Sequence, residues 1–242
     1  MIRKIEGIVT REQNYSETSK IIDILTDEGV ISIIAKGARS MKSDLRSVSS
    51  KLVYGDFNIY YKKDKLSTLI SVDVKNNFKS IKKDIHKITY ASFLLDLSSQ
   101  VIKQSDETGV YNFLIQSLLK IDEGYDPMVI TNILELKYLY LLGVMPNLDS
   151  CSKCGAKVGI ETLSNDAGGY VCSSCITDEK IVSEKTIKLI RMFYYVDISK
   201  ISNLDVSDKT KIEINDFLDE YYDRYTGLYL RSKTFLKNLN KL

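Results

Sequence analysis

Four cysteines, Cys151, Cys154, Cys172 and Cys175, are all the thiols of the 242-residue chain. They fall as C-x2-C, then seventeen residues, then C-x2-C, the spacing of a four-cysteine zinc site. Two residues between ligands let one tight turn offer both sulfurs to one ion. Gly155 after the first pair, and Gly168-Gly169 before the second, supply the backbone freedom such turns need. Four protein ligands complete a tetrahedral shell and leave no position for water or substrate, so the spacing predicts a structural Zn2+ ion rather than a catalytic one. Four thiolates around a divalent ion retain a net charge of about −2, and Lys153 and Lys157 are near enough in sequence to offset it. A redox dithiol would account for one C-x-x-C but not for a matched pair, and no βαβ pattern flanks either.

Little else in the chain points to bond-breaking chemistry. His86 is the sole histidine, on an amphipathic stretch where such a residue most often packs or faces solvent. Phosphate-loop, dinucleotide-turn, zinc-protease and nucleophile-elbow motifs are all missing. The acidic pairs Asp27-Glu28 and Asp219-Glu220 read as solvated charge. Binding is the better expectation, and charge distribution says where. Formal net charge is only +2, yet Lys36, Arg39, Lys42, Arg46 and Lys51 face a single acid, Asp44, across that stretch. Five further cations, Arg224, Arg231, Lys233, Lys237 and Lys241, occupy an acid-free C-terminus, and seven acids stand between Asp205 and Asp223. In "AKGARSMKSDLRS", glycine and serine let backbone approach a ligand while Arg and Lys every three or four residues track phosphates. Tyr54, Phe57, Tyr60 and Tyr61 follow; alternation sends some to stack bases and some to the core. The C-terminal cations either meet a polyanionic partner or decorate a terminal helix docked by Tyr229, Phe235 and Leu239.

These residues need elements to hold them. "KIEGIVT", "SKIIDILT", "GVISIIAKG", "KLVYGDFNIYY" and "LSTLISVDV" read as five short strands with turns at "DEG" and "KKDK". Five strands in about 80 residues fit a small closed barrel of OB type better than an open sheet with long edges. After residue 80 the hydrophobic period becomes helical, with Asp126 and Pro127 as N-cap and first residue of one helix and Gly143 and Pro146 ending it. The expected class is α+β and multidomain: 1–80 an OB-fold β-barrel, 81–147 and 181–242 helical, and 148–180 a zinc-binding insertion. The N-terminus meets Arg, Lys and Glu too early for a secretory signal, and no apolar run nears the roughly 20 residues of a membrane span. A cytoplasmic protein without a membrane partner is expected.

Three stretches, in order along the chain, carry a resemblance: "NYSETSKIIDILTDEGVISIIAKGARSMKS", "LYLLGVMPNLDSCSKCG" with "GGYVCSSC", and "DRYTGLYLRSKTFLKNL". Together they resemble the RecO family of bacterial recombination mediators. A departure is "SVSSKLVYGDF", where relatives commonly carry a Pro-Phe pair. The resemblance implies an N-terminal OB fold, a helical domain with a zinc insertion, and a nucleoid-associated, non-enzymatic role in DNA repair. It implies binding of single- and double-stranded DNA, annealing of complementary strands, and partnership with RecR and with the C-terminal tail of the single-stranded-DNA-binding protein, which indirectly helps load RecA. The expected DNA contacts are Lys36, Arg39, Lys42, Arg46 and Lys51, with Arg231 and Lys233 as a second group; the expected metal ligands are the four cysteines. The rival readings are a zinc-containing protein-interaction adaptor without direct DNA binding and an unrecognised metal-dependent nuclease.

Overall fold

The computed structural model of the chain describes residues 1–63, 65–105, 108–202, 204–230, 232–233 and 236. Five strands open the chain: β1 (Ile2–Asn14), β2 (Lys20–Thr26), β3 (Gly29–Ala35), β4 (Tyr54–Tyr60) and β5 (Ser67–Asn76). They close on themselves in the order β1-β2-β3-β5-β4, antiparallel except where β3 meets β5. That parallel seam is two pairs long, Ile33 with Ser67 and Ile34 with Thr68. Strict alternation fixes the register: along β4, Gly55, Phe57 and Ile59 point in while Asp56, Asn58 and Tyr60 point out. Gly55 is required there, since a Cβ would lie 2.4 Å from the Asp73 carbonyl oxygen on β5. Turn "DEG" forms the β2–β3 hairpin as read, with Gly29 at positive φ. Despite the absent Pro-Phe pair, β4 enters at Tyr54.

Two short helices, α1 (Leu45–Val48) in the β3–β4 connection and α2 (Lys79–Lys82) after the barrel, precede the helical region. Its main elements are α3 (Ile85–Gln104), α4 (Val110–Glu123), α5 (Pro127–Leu141), α6 (Glu184–Tyr195) and α7 (Asp208–Tyr225). Asp84, Asp126, Ser183 and Ser207 cap α3, α5, α6 and α7 by accepting backbone N–H bonds, and Pro127 opens α5 as the sequence predicts. Helix α5 is the hub and is buried nearly all round. The Tyr138 hydroxyl donates to the Val110 carbonyl at 2.9 Å and meets Ser98 Oγ at 2.7 Å, and Tyr222 of α7 donates to the Glu135 carbonyl at 2.8 Å. Ile8, Leu25 and Leu52 belong to this helical core, whereas Val9, Ile22, Ile24, Ile33, Phe57 and Ile59 fill the barrel. The barrel is thus packed against the helices by one of its own faces.

Between α5 and α6, within the cysteine segment, lies a two-stranded hairpin, β6 (Ile160–Ser164) and β7 (Gly169–Cys172), that no period-2 run in the sequence announces. Asn147 docks it: its N–H donates to the Gly168 carbonyl at 2.9 Å and its carbonyl accepts from Tyr170 at 2.9 Å. No helix among the described residues is long and apolar enough to cross a membrane.

Candidate nucleic-acid interface and metal centre

The β3–β4 connection carries the cationic loop, and its apolar residues explain its shape. Gly37, at φ +70°, turns the chain off β3. Ala38 and Leu45 then pack on the barrel core, and α1 lies alongside β5 beside the short β3–β5 seam. A chain of turn bonds, Ser40 to Gly37 at 3.0 Å, Ser43 to Ser40 at 3.2 Å and Arg46 to Ser43 at 3.1 Å, keeps the loop compact. With Ala38 and Leu45 turned inward, Lys36, Arg39, Lys42 and Arg46 are left exposed, as is Met41. Among the described residues none of these four forms an ion pair with a carboxylate. Arg39 ties the loop to the β1–β2 turn: its backbone N–H donates to the Thr18 carbonyl at 2.8 Å and its guanidinium to the Ser16 carbonyl. The Arg46 guanidinium touches the Met41 sulfur. The arrangement gathers four unneutralised cations on one anchored surface loop, which is what a polyanion requires.

The fifth cation behaves differently. Lys51 is half-buried and faces a cleft between the barrel and α3. Burial pushes its ammonium below the usual lysine range, against the pull of Asp96 and Glu12. Arg231 lies outside the described residues. Lys233 is not a phosphate contact: it is 6% exposed, lies over the Tyr222 ring, and its ammonium sits 3.2 Å from an Asp219 carboxylate oxygen and 3.4 Å from Asp223. Its charge is spent inside the fold, holding the C-terminal segment to α7.

The aromatics divide as alternation requires. Phe57 is fully buried in the barrel, and the Tyr54 hydroxyl donates to Glu6 at 2.8 Å. Tyr60 (50% exposed) and Tyr61 (37%) remain accessible, the latter with the Arg3 guanidinium 4.0 Å over its ring. Next to them the β4–β5 turn presents three further cations, Lys62, Lys63 and Lys65, outside the expected DNA contacts. The signal was there, three lysines in four residues, but it was absorbed by turn propensity.

In the candidate metal centre the sulfurs of Cys151, Cys154, Cys172 and Cys175 all lie within 4.8 Å of one another, and those of Cys154 and Cys172 are 3.6 Å apart. All four thiols are free. Zn–S bonds of about 2.3 Å in a tetrahedron put sulfurs about 3.8 Å apart, so the donor set fits such an ion. Burial raises the Cys151 thiol, but N–H groups of Cys172, Cys154 and Lys153 outweigh it and draw it down to about 6. Cys175 is pushed up to about 12 by sharing hydrogen bonds with Cys154 and Cys172. Four crowded sulfurs resist ionising together unless a cation compensates them. Lys153 is bound to Glu179 and donates to the Cys175 carbonyl at 3.1 Å, so it braces the second knuckle from the first.

Comparison with known proteins matches this chain at both ends. A family model described as "Recombination protein O N terminal" covers residues 1–78, and one described as "Recombination protein O C terminal" covers 82–234. Proteins named "DNA repair protein RecO" from Listeria innocua and Bacillus subtilis are 35% and 34% identical to it. The first alignment spans 99% of this chain and 96% of the relative, the second 100% and 96%.

Proposed function

Because the chain belongs to the RecO family, we propose that it is a DNA repair protein acting as a non-enzymatic recombination mediator, which binds DNA through its barrel and anneals complementary strands. One observation carries the reading: Lys36, Arg39, Lys42 and Arg46 stand exposed and without carboxylate partners on one loop, pinned to the barrel by Ala38 and Leu45. Five strands closed in the order β1-β2-β3-β5-β4 suit an OB fold, whose β1–β2 and β4–β5 loops commonly bind oligonucleotides. Here Arg39 bonds the first of those loops, while the second carries Lys62, Lys63 and Lys65 beside Tyr60 and Tyr61. Annealing needs no covalent step. Screening two polyanions while leaving base edges free suffices, and backbone-directed cations do that with little sequence preference.

Zn2+ would be held by Cys151, Cys154, Cys172 and Cys175, where it supplies cross-linking of two knuckles and no reaction chemistry. RecR, the tail of the single-stranded-DNA-binding protein and, indirectly, RecA complete the proposed assembly. The test is annealing of complementary strands coated with the single-stranded-DNA-binding protein. Wild type accelerates duplex formation, and the variant Arg39→Ala/Lys42→Ala/Arg46→Ala loses most of that acceleration. A variant as fast as wild type removes the loop from the DNA site and favours the adaptor reading.

A further inference from the structure

We infer that the cleft between the barrel and α3 is a single-strand-selective phosphate site, built from Lys51, Arg11 and Lys103 and continuous with the basic loop; this rests on the DNA-binding reading above. The cleft encloses about 380 Å³. Arg11 on β1 and Lys103 in the last turn of α3 are exposed at its walls. Lys51 reaches it from the end of the basic loop, where Leu52 adopts φ +64° and is buried in the helical core. That left-handed residue donates its N–H to the Val9 carbonyl at 3.0 Å, the Val9 N–H donates to the next residue's carbonyl, Val53, at 2.9 Å, and the turn sends Leu52 into the core while Lys51 takes the cleft.

Among the described residues, no carboxylate lies within ion-pair distance of the Lys51, Arg11 or Lys103 cations. The two acids in the cleft are engaged by neutral donors: Asp23 accepts from Ser32 Oγ at 2.6 Å, and Asp96 from Ser232 Oγ at 2.6 Å and from Gln100 at 3.1 Å. A half-buried ammonium with no carboxylate in direct contact is costly, and a phosphodiester can supply that contact where Asp96 and Glu12 act only from a distance, with hydroxyls along the walls to accept or donate further bonds. The volume suits about one nucleotide unit. A flexible single strand leaving the basic loop can thread one phosphate into this space. A duplex, rigid and flanked by its second strand, would have to displace α3 to do so. The loop therefore takes either form of DNA, and the cleft adds affinity for single strands alone.

The test titrates full-length protein with a labelled oligothymidylate and with a blunt duplex of equal length. Lys51→Ala weakens single-strand binding about tenfold and leaves duplex binding within about twofold, while Lys51→Arg keeps both. Since Lys51 is half-buried, the exposed pair Arg11→Ala/Lys103→Ala provides the same reading without touching the core. Single-strand affinity unchanged in that pair, or both substrates weakened alike, overturns the inference while leaving DNA binding by the loop intact. If wild type binds neither substrate, the cleft and the reading it rests on fall together.

Discussion

Cys151 and Cys175 sit at opposite ends of the thiol range, one drawn down by backbone N–H donors and the other pushed up by its neighbours' sulfurs. Such a set would bind a divalent ion by losing protons, so retention should be pH-dependent and acidification should release metal. Cys154 is the exposed member, and Cys154→Ser disturbs no packing. It is expected to drop bound zinc well below one ion per chain by elemental analysis and to lower the melting temperature; full zinc occupancy in that variant would contradict a four-thiolate site. Gly169 tests how the hairpin is docked. A Cβ there would stand 2.3 Å from the Asn147 carbonyl oxygen, at φ +149°. Gly169→Ala should destabilise by about 1–3 kcal/mol in denaturant unfolding. The clustering of the four cysteines was legible because their spacing implies it. Lys233 was not, because its fate depends on Asp219 and Asp223 arriving from α7, and no local pattern shows that a cation will be internal.

Between elements, one polar junction joins barrel to helices: Glu6 of β1 accepts from Tyr54 at 2.8 Å, from Tyr111 of α4 at 3.0 Å, and from Lys75. The Lys75 hydrogen bond, aided by the two tyrosines, holds the Glu6 carboxyl below its ordinary 4.5 despite partial burial. A carboxyl lowered on folding contributes stability above its ordinary pKa and loses it as pH falls through the lowered value. The β1–α4 junction should therefore loosen below about pH 4.5, and Glu6→Gln should flatten that part of the stability profile. Tyr111→Phe is expected to cost about 1 kcal/mol and to be non-additive with Glu6→Gln in a double-mutant cycle; strict additivity would show the contact to be idle. The five strands and five main helices were readable because each repeats its own period over seven or more residues. The β6–β7 hairpin escaped because its second strand is only "GYVC", four buried residues ending in a ligand. The short α1 is likewise set by Leu45 meeting the barrel, not by local propensity.

Over the whole molecule, charge is sorted by surface. The barrel loop is cationic, while six acids, Asp166, Asp178, Glu179, Glu213, Asp216 and Glu220, against Lys180 and Lys209, line a cleft between the cysteine module and α7. On the proposed DNA-binding reading, a strand would be drawn to the loop and kept from the acidic cleft, and so oriented without its bases being read. Three ordered stretches made the family legible in the sequence, but the meeting of Lys51, Arg11 and Lys103 required the packing of α3 on the barrel. The most direct measurement is the slope of log affinity against log salt for a single-stranded oligonucleotide, wild type against Arg39→Ala/Lys42→Ala/Arg46→Ala. Loss of three phosphate contacts should reduce the slope by about 2 and weaken binding strongly at low salt. An unchanged slope would mean that these cations touch no DNA.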